Sequence, residues 1–242
     1  MNLLTKTIET KSKLNVREVV SILEKMYGKA EWAFRHEPMD ELIACILSQH
    51  TSDSNSLRAF DKLKHMYPHW EQVAEAPVNQ LADVIRNGGL ADSKAPRIQQ
   101  ALKEIKKREG AYDLSVLSAM SDEEARTYLM SLPGVGPKTA AIVLCFSLNR
   151  PVIPVDTHIF RVSWRLGFVE KKQGEAKAHD TLQDLIPKDI IFRFHMALIR
   201  HGREVCKAQR PRCLECPLTN QCKYYHQMLT TEVPTDGKAT ES

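Results

Sequence analysis

Apolar side chains recur along this chain at intervals of three and four residues, the period of a helix that buries one face. Val16, Val19, Val20, Leu23, Met26 and Tyr27 form one such stripe, and Asn15 with Glu18 three residues on reads as a capping box at its start. Pro38 opens a second helix through Leu42, Ile43, Ile46 and Leu47. A third is expected from Asp53 to Met66, with Leu57, Phe60 and Leu63 on one face. A fourth opens at Pro77 and stops at the Asn87-Gly88-Gly89 turn, and a fifth covers Ser93 to Arg108. Ser121 and Glu124 mark another capping box, for a helix ending near Ser131. Lys138–Leu148, Thr157–Leu166, Ala176–Leu185 and Asp189–Arg203 complete the set. No run alternates apolar and polar positions convincingly, so the expected fold class is all-α.

Composition narrows the class. With 242 residues the chain makes one large domain or two small ones. Hydrophobic residues at 43% and charged residues at 26% exclude a disordered or fibrous protein. No stretch of about 18 apolar residues occurs, which excludes a membrane-spanning helix. The N-terminus carries no apolar core of a secretory signal, which points to a reducing, cytoplasmic compartment. The polar ends, residues 1–12 and 230–242, read as flexible. Asn149-Arg150-Pro151-Val152-Ile153-Pro154 is a stiff connection and a candidate domain junction. The net charge is only +4, but the segment Arg200–His226 carries +4 by itself, six Lys and Arg against Glu204 and Glu215. Such a concentration suits either a phosphate-facing surface or a solubilising one.

The same segment holds Cys206, Cys213, Cys216 and Cys222, spaced C-x6-C-x2-C-x5-C. A reducing compartment disfavours disulfides there. Structural zinc normally shows two close pairs with a longer spacer, whereas this loop has one close pair flanked by single cysteines. Four thiolates on a loop stiffened by Pro211 and Pro217 suit a [4Fe–4S] cluster, with zinc as the alternative. Cys45 and Cys145 lie among apolar neighbours and read as core residues. The string Leu132-Pro133-Gly134-Val135-Gly136-Pro137-Lys138-Thr139-Ala140 lies between two helices. Its glycines allow positive φ and close approach, and the helix it opens has unpaired N–H groups suited to a phosphate. Lys138, in the first turn, is an ordinary surface lysine or, in electropositive surroundings that lower an amine's pKa, a nucleophile able to attack a sugar carbon. Asp156 sits where the Thr157 helix begins, as a cap or as a carboxylate facing Lys138.

Taken together, LPGVGPKTA at 132–140, VDTHIFRV at 155–162, HGR at 201–203 and the four cysteines resemble the endonuclease III family of DNA repair glycosylases, in the helix-hairpin-helix superfamily. ILSQHTSD at 46–53 and GLADSKA at 89–95 extend the resemblance, which covers roughly residues 15–226. It implies two helical domains flanking a DNA-binding cleft. One is a six-helix domain at 31–150 with the helix-hairpin-helix motif. The other is a discontinuous domain from 1–30 and 151–226 with a C-terminal [4Fe–4S] loop, followed by a flexible tail at 227–242. It implies a bifunctional DNA glycosylase/AP lyase that removes oxidised pyrimidines from duplex DNA and nicks the strand by β-elimination. Its partner would be double-stranded DNA with a damaged base or abasic site, and the protein a nucleoid-associated monomer. On this resemblance Lys138 is the nucleophile, Asp156 the catalytic carboxylate, and Cys206, Cys213, Cys216 and Cys222 the cluster ligands. Gln49, His50, Thr51, Asp53, Leu90, Gly134, Gly136, Lys207, Arg210 and Arg212 are the candidate DNA contacts, with Leu90 and His50 as wedges that fill the gap left by the everted nucleotide. Relatives commonly carry glutamine where His50 stands, a departure that bears on lesion preference. Cys45 falls where adenine glycosylases of the superfamily have a glutamate, which argues against adenine removal. The alternatives are a mismatch-directed uracil or thymine glycosylase with weak lyase activity, and a non-catalytic iron–sulfur DNA-binding protein.

Overall fold

The structure, a computed structural model, describes residues 15–231. The expectations for the N-terminal end, and for the tail beyond Thr231, lie outside the described residues. Helices α1 (Val16–Tyr27), α2 (Pro38–Ser48), α3 (Asp53–Met66), α4 (Trp70–Glu75), α5 (Val78–Ile85) and α6 (Ala91–Glu109) come first. They are followed by α7 (Asp122–Met130), α8 (Pro137–Ile142), α9 (Thr157–Leu166), α10 (Gly174–Leu185), α11 (Ile191–Glu204) and α12 (Lys223–Thr231). No strand occurs among the described residues, and none of these helices is long and apolar enough to cross a membrane.

Local chemistry sets the boundaries. The Ser121–Glu124 box forms in both directions at α7. At α1, Asn15 caps the Arg17 N–H at 2.9 Å. Pro38 occupies the first turn of α2, where its missing N–H costs nothing. Three elements differ from the sequence pattern. The six-residue α4 is too short to show a period. The helix expected from Lys138 to Leu148 is α8 plus a wider π turn over Val143–Ser147. Finally, α12 runs past Gln227, where the tail was expected to begin.

Apolar stripes gather into two clusters. The first draws on α2 to α8, from Met39 to Val152, with Leu42, Ile46, Leu63, Ile98 and Leu129 wholly buried. The second combines α1 with α9 to α11, through Val19, Leu23, Ile159, Leu182, Phe194 and Leu198. The π turn sits between them, giving Val143 and Leu144 to the first and Cys145 to the second. Glu24–Arg193 and Arg17–Asp189 bind α1 to the C-terminal helices at 2.7 Å each.

Candidate active site and cysteine cavity

The turn between α7 and α8 is anchored by Leu132 and Val135, both buried. Of its two glycines only Gly134 has a positive φ, +80°, which favours glycine. Gly136 is extended, with φ −100° and ψ 178°, because the residue before Pro137 is pushed out of the helical region. Lys138 therefore stands at the second position of α8, exposed, with no hydrogen bond or ion pair among the described residues. Asp156 caps α9: its Oδ1 accepts from the Ile159 N–H at 2.7 Å. The carboxylate is 7% exposed, and its second oxygen accepts no hydrogen bond. Lys138 and Asp156 line one cleft of about 440 Å³. Buried His195 also lines it, bonded through Nδ1 to the Pro154 carbonyl at 3.0 Å. Burial lowers the His195 pKa, Asp156 opposes that shift, and Lys138 and Arg203 add to it.

The same cleft carries a pair that the sequence pattern did not reveal. Glu41 on α2 is fully buried, and the Arg35 guanidinium donates to both of its oxygens. Cys45, one turn on, donates its S–H to the same carboxylate at 3.7 Å and is pushed to a high pKa by burial. The loop bearing Arg35 is fixed by Trp32, whose indole N–H donates to the Cys145 and Phe146 carbonyls of the π turn at 3.0 and 3.2 Å. One sequence signal was present: Glu41 is an acid beside an otherwise apolar run, Leu42 to Leu47.

Two turns project beside the cleft. At the end of α2, Gln49 donates to the Gly134 carbonyl at 3.0 Å, so its amide braces the hairpin. His50, next, is exposed with φ +53°. Leu90 is 57% exposed with φ +50°. Such backbone in residues other than glycine is strained and clusters at functional sites. A Cβ on Gly89 would lie 3.9 Å from Thr51 Oγ1, so the two turns are neighbours. Buried Lys94 on α6 joins them from beneath, donating to the Leu47 carbonyl at 2.6 Å and the Gly88 carbonyl at 2.8 Å. Asp53, expected to face DNA, is paired with Arg203 at 2.9 Å across the cleft.

The four cysteines are free thiols that line a single small cavity of about 20 Å³. The residues around them have mechanical roles. Arg161 donates to the Gly202 and Cys206 carbonyls at 2.8 and 2.9 Å. Gly202 is required by close packing, since a Cβ there would meet His158 Cβ at 2.9 Å. Arg165, 4% exposed, donates to Cys206 Sγ at 3.2 Å and the Lys207 carbonyl at 2.8 Å, while its Nε has no partner. Burial, with the neighbouring sulfurs, raises the Cys213 and Cys222 pKa values and pushes Cys216 up to about 11. Four crowded thiols beside a buried cation with a spare donor fit a metal–sulfur centre, which would supply the positive charge that thiolates need. Among the described residues no group of three or more His, Cys, Asp or Glu is placed as a site for a single metal ion. On the loop, Lys207 and Arg210 are exposed, Arg210 with φ +48°. Arg212 instead folds back on the Glu204 carbonyl and on Glu215, the latter at 3.0 Å.

Against known proteins, residues 43–188 match the HhH-GPD superfamily of base excision DNA repair proteins. The chain is 34% identical over 197 residues to endonuclease III of Thermotoga maritima, covering 81% of this chain and 88% of that protein. It is 39% identical over 165 residues, 68% of its length, to an Arabidopsis thaliana protein named as a DNA glycosylase, and spans 56% of that relative. A solved endonuclease III–DNA trapped covalent intermediate superposes with TM-score 0.76 at 32% identity, covering 88% of this chain and 97% of that one.

Proposed function

The chain belongs to the HhH-GPD superfamily of base excision DNA repair proteins and, within it, to the endonuclease III family, and from that premise we propose that it is a bifunctional DNA glycosylase/AP lyase acting on oxidised pyrimidines in duplex DNA. The observation that carries the reading is the pairing of an uncommitted amine, Lys138, with a half-committed carboxylate, Asp156, in one cleft.

The damaged nucleotide is everted into the cleft because its reacting carbon is unreachable inside the stack. Leu90 and His50 enter the gap, and strained backbone presents both outward. Gln49 is the brace between that turn and the hairpin and not the filler. Thr51 supports the same turn, and Asp53 acts through Arg203. Backbone at Gly134 and Gly136, with Lys207 and Arg210, takes phosphates, while Arg212 stiffens the cysteine loop.

Lys138 in its neutral form attacks C1′ of the sugar, and the C1′–N bond breaks with its electron pair leaving on the base. The free Asp156 oxygen faces the positive charge that develops on the sugar and takes up the proton released from the lysine. Ring opening gives a Schiff base between Lys138 Nζ and C1′. Loss of a C2′ proton then expels the 3′ phosphate. Asp156 Oδ1 is held by the Ile159 N–H throughout, which fixes the direction of Oδ2.

Cys206, Cys213, Cys216 and Cys222 would hold a [4Fe–4S] cluster. When bound, it supplies a structural cross-link that orders the loop bearing Lys207 and Arg210. The two apolar clusters support reading the chain as two domains with the DNA cleft between them. A DNA substrate implies a cytoplasmic, nucleoid-associated protein, and we read it as a monomer. Borohydride reduction on an abasic duplex is the direct test: the wild type should form a covalent adduct and Lys138→Ala none, while Lys138→Ala still binds the duplex. Undiminished trapping by Lys138→Ala would show that another amine is the nucleophile.

A further inference from the structure

The Arg35–Glu41 pair occupies the cleft without any part in the chemistry above. Glu41 is fully buried, and both its oxygens are taken by Arg35, with Cys45 as a third donor. A buried ion pair is no cheaper than a well-packed apolar pair of the same volume, so stability alone does not account for it. Arg35 is different: its side chain is 52% exposed, and its guanidinium carbon lies 5.1 Å from the Phe146 ring centroid. Glu41 from one side, the ring from another and the Trp32 anchor behind hold the guanidinium plane in one orientation. Arginine has five N–H donors and no acceptor. Two donors are used on Glu41, which leaves three at the wall of the cleft that Lys138 and Asp156 also line.

We propose that Arg35 is a specificity-determining residue that donates to a carbonyl oxygen of the everted base, with Glu41 as its positioning residue. The inference rests on the glycosylase/lyase reading and names the substrate class within it. A donor-only group favours uracil- and thymine-derived lesions, which carry carbonyls at both C2 and C4. It disfavours cytosine-derived lesions, whose C4 amine presents a second donor to Arg35, while the carboxylate beside Arg35, Glu41, is already engaged. A site built to pair with a polar group rejects the analogue that lacks it, because a donor that the everted base cuts off from water is then left unpaired.

The test compares single-turnover excision of 5,6-dihydrothymine and of 5-hydroxycytosine from otherwise identical duplexes, with cleavage of a preformed abasic site measured in parallel. The abasic site has no base for Arg35 to meet. The wild type should excise dihydrothymine faster. Arg35→Met should lower that excision about 10- to 100-fold, the scale of one charge-assisted hydrogen bond, so the preference collapses toward unity. The ratio of excision to abasic cleavage should fall with it. Glu41→Gln keeps the shape and part of the tether, and should shift the preference in the same direction by less. An unchanged preference in Arg35→Met, or an equal fall on both bases and on the abasic site, overturns the inference while leaving the enzyme's activity established. A wild type that neither excises a base nor cleaves an abasic site overturns the reading beneath it.

Discussion

Lys94→Met tests how the two projecting turns are held. The substitution keeps most of the side-chain stem and removes an ammonium bonded to the Leu47 and Gly88 carbonyls. Leu47 is among the last residues of α2, and Gly88 ends the Arg86–Gly88 turn, so neither carbonyl has a regular helical donor downstream. A stranded buried acceptor costs about 1–3 kcal/mol, which makes roughly 2–6 kcal/mol for two. Part of this is offset, because the ammonium no longer has to be buried, an effect seen in the lowering of its pKa. A net loss of about 2–4 kcal/mol is expected, or a Tm lower by about 5–15 °C for a chain of this size. The functional effect should exceed the thermal one. Both carbonyls lie a few residues ahead of positive-φ positions, His50 and Leu90, and without the tie those turns relax toward unstrained backbone. Affinity for a duplex carrying a flipped-nucleotide mimic should fall about tenfold, with undamaged duplex changed less than about threefold. Lys103→Met, at an exposed site on the same helix, is the control. If Lys94→Met melts within about 2 °C of the parent and discriminates equally well, the ammonium is not what holds the turns.

Asp156→Asn retains the cap acceptor but loses the charge, and should depress base excision by about 100-fold or more while slowing cleavage of a preformed abasic site less; equal losses would make Asp156 a purely structural cap. Purified anaerobically, the protein should be yellow-brown with about four irons and four sulfides per chain, and Cys213→Ser should lose the colour; a colourless protein with one zinc would reverse the assignment. His179 and His195 are buried with lowered pKa values, so below about pH 6.5 the unfolded chain takes up protons that the folded chain resists. Stability should be flat above that pH and fall below it, with a shallower fall in His179→Gln; an identical slope would mean that His179 titrates alike in both states.

Where a side-chain cap, a proline or a glycine marks a helix end, the sequence was readable almost to the residue, as at Asp53–Met66 and Thr157–Leu166. The proposed pair, Lys138 and Asp156, stood out in the sequence for the same reason, since both lie at helix starts. What escaped was set by tertiary contact. Lys94 lies on a helix rich in surface lysines, and only the approach of α2 and the Gly88 turn makes it a buried tie. Arg35 lies in an irregular segment whose position depends on Trp32 finding two carbonyls in the π turn, over a hundred residues away. Gly136 lacks the positive φ that Gly134 has for a local reason, the proline after it. Arg212 counted as a free cation in the sequence and is used internally.

The placement of α1 has a consequence for how the molecule comes into being. Its apolar face packs on helices whose contact residues, Asp189 and Arg193, follow Arg17 and Glu24 by 172 and 169 residues. At about 5–20 residues per second of synthesis, that stripe waits roughly 10–30 s on the ribosome before its partner exists. Meanwhile the first cluster, Met39 to Val152, has every one of its members in hand and can close. The second closes only when both ends of the chain meet, and Asp156, His195 and Arg203 belong to the segments that arrive late. A nascent chain thus carries the hairpin and Lys138 well before it has a finished cleft, whose wall is complete only once His195 and Arg203 have been made.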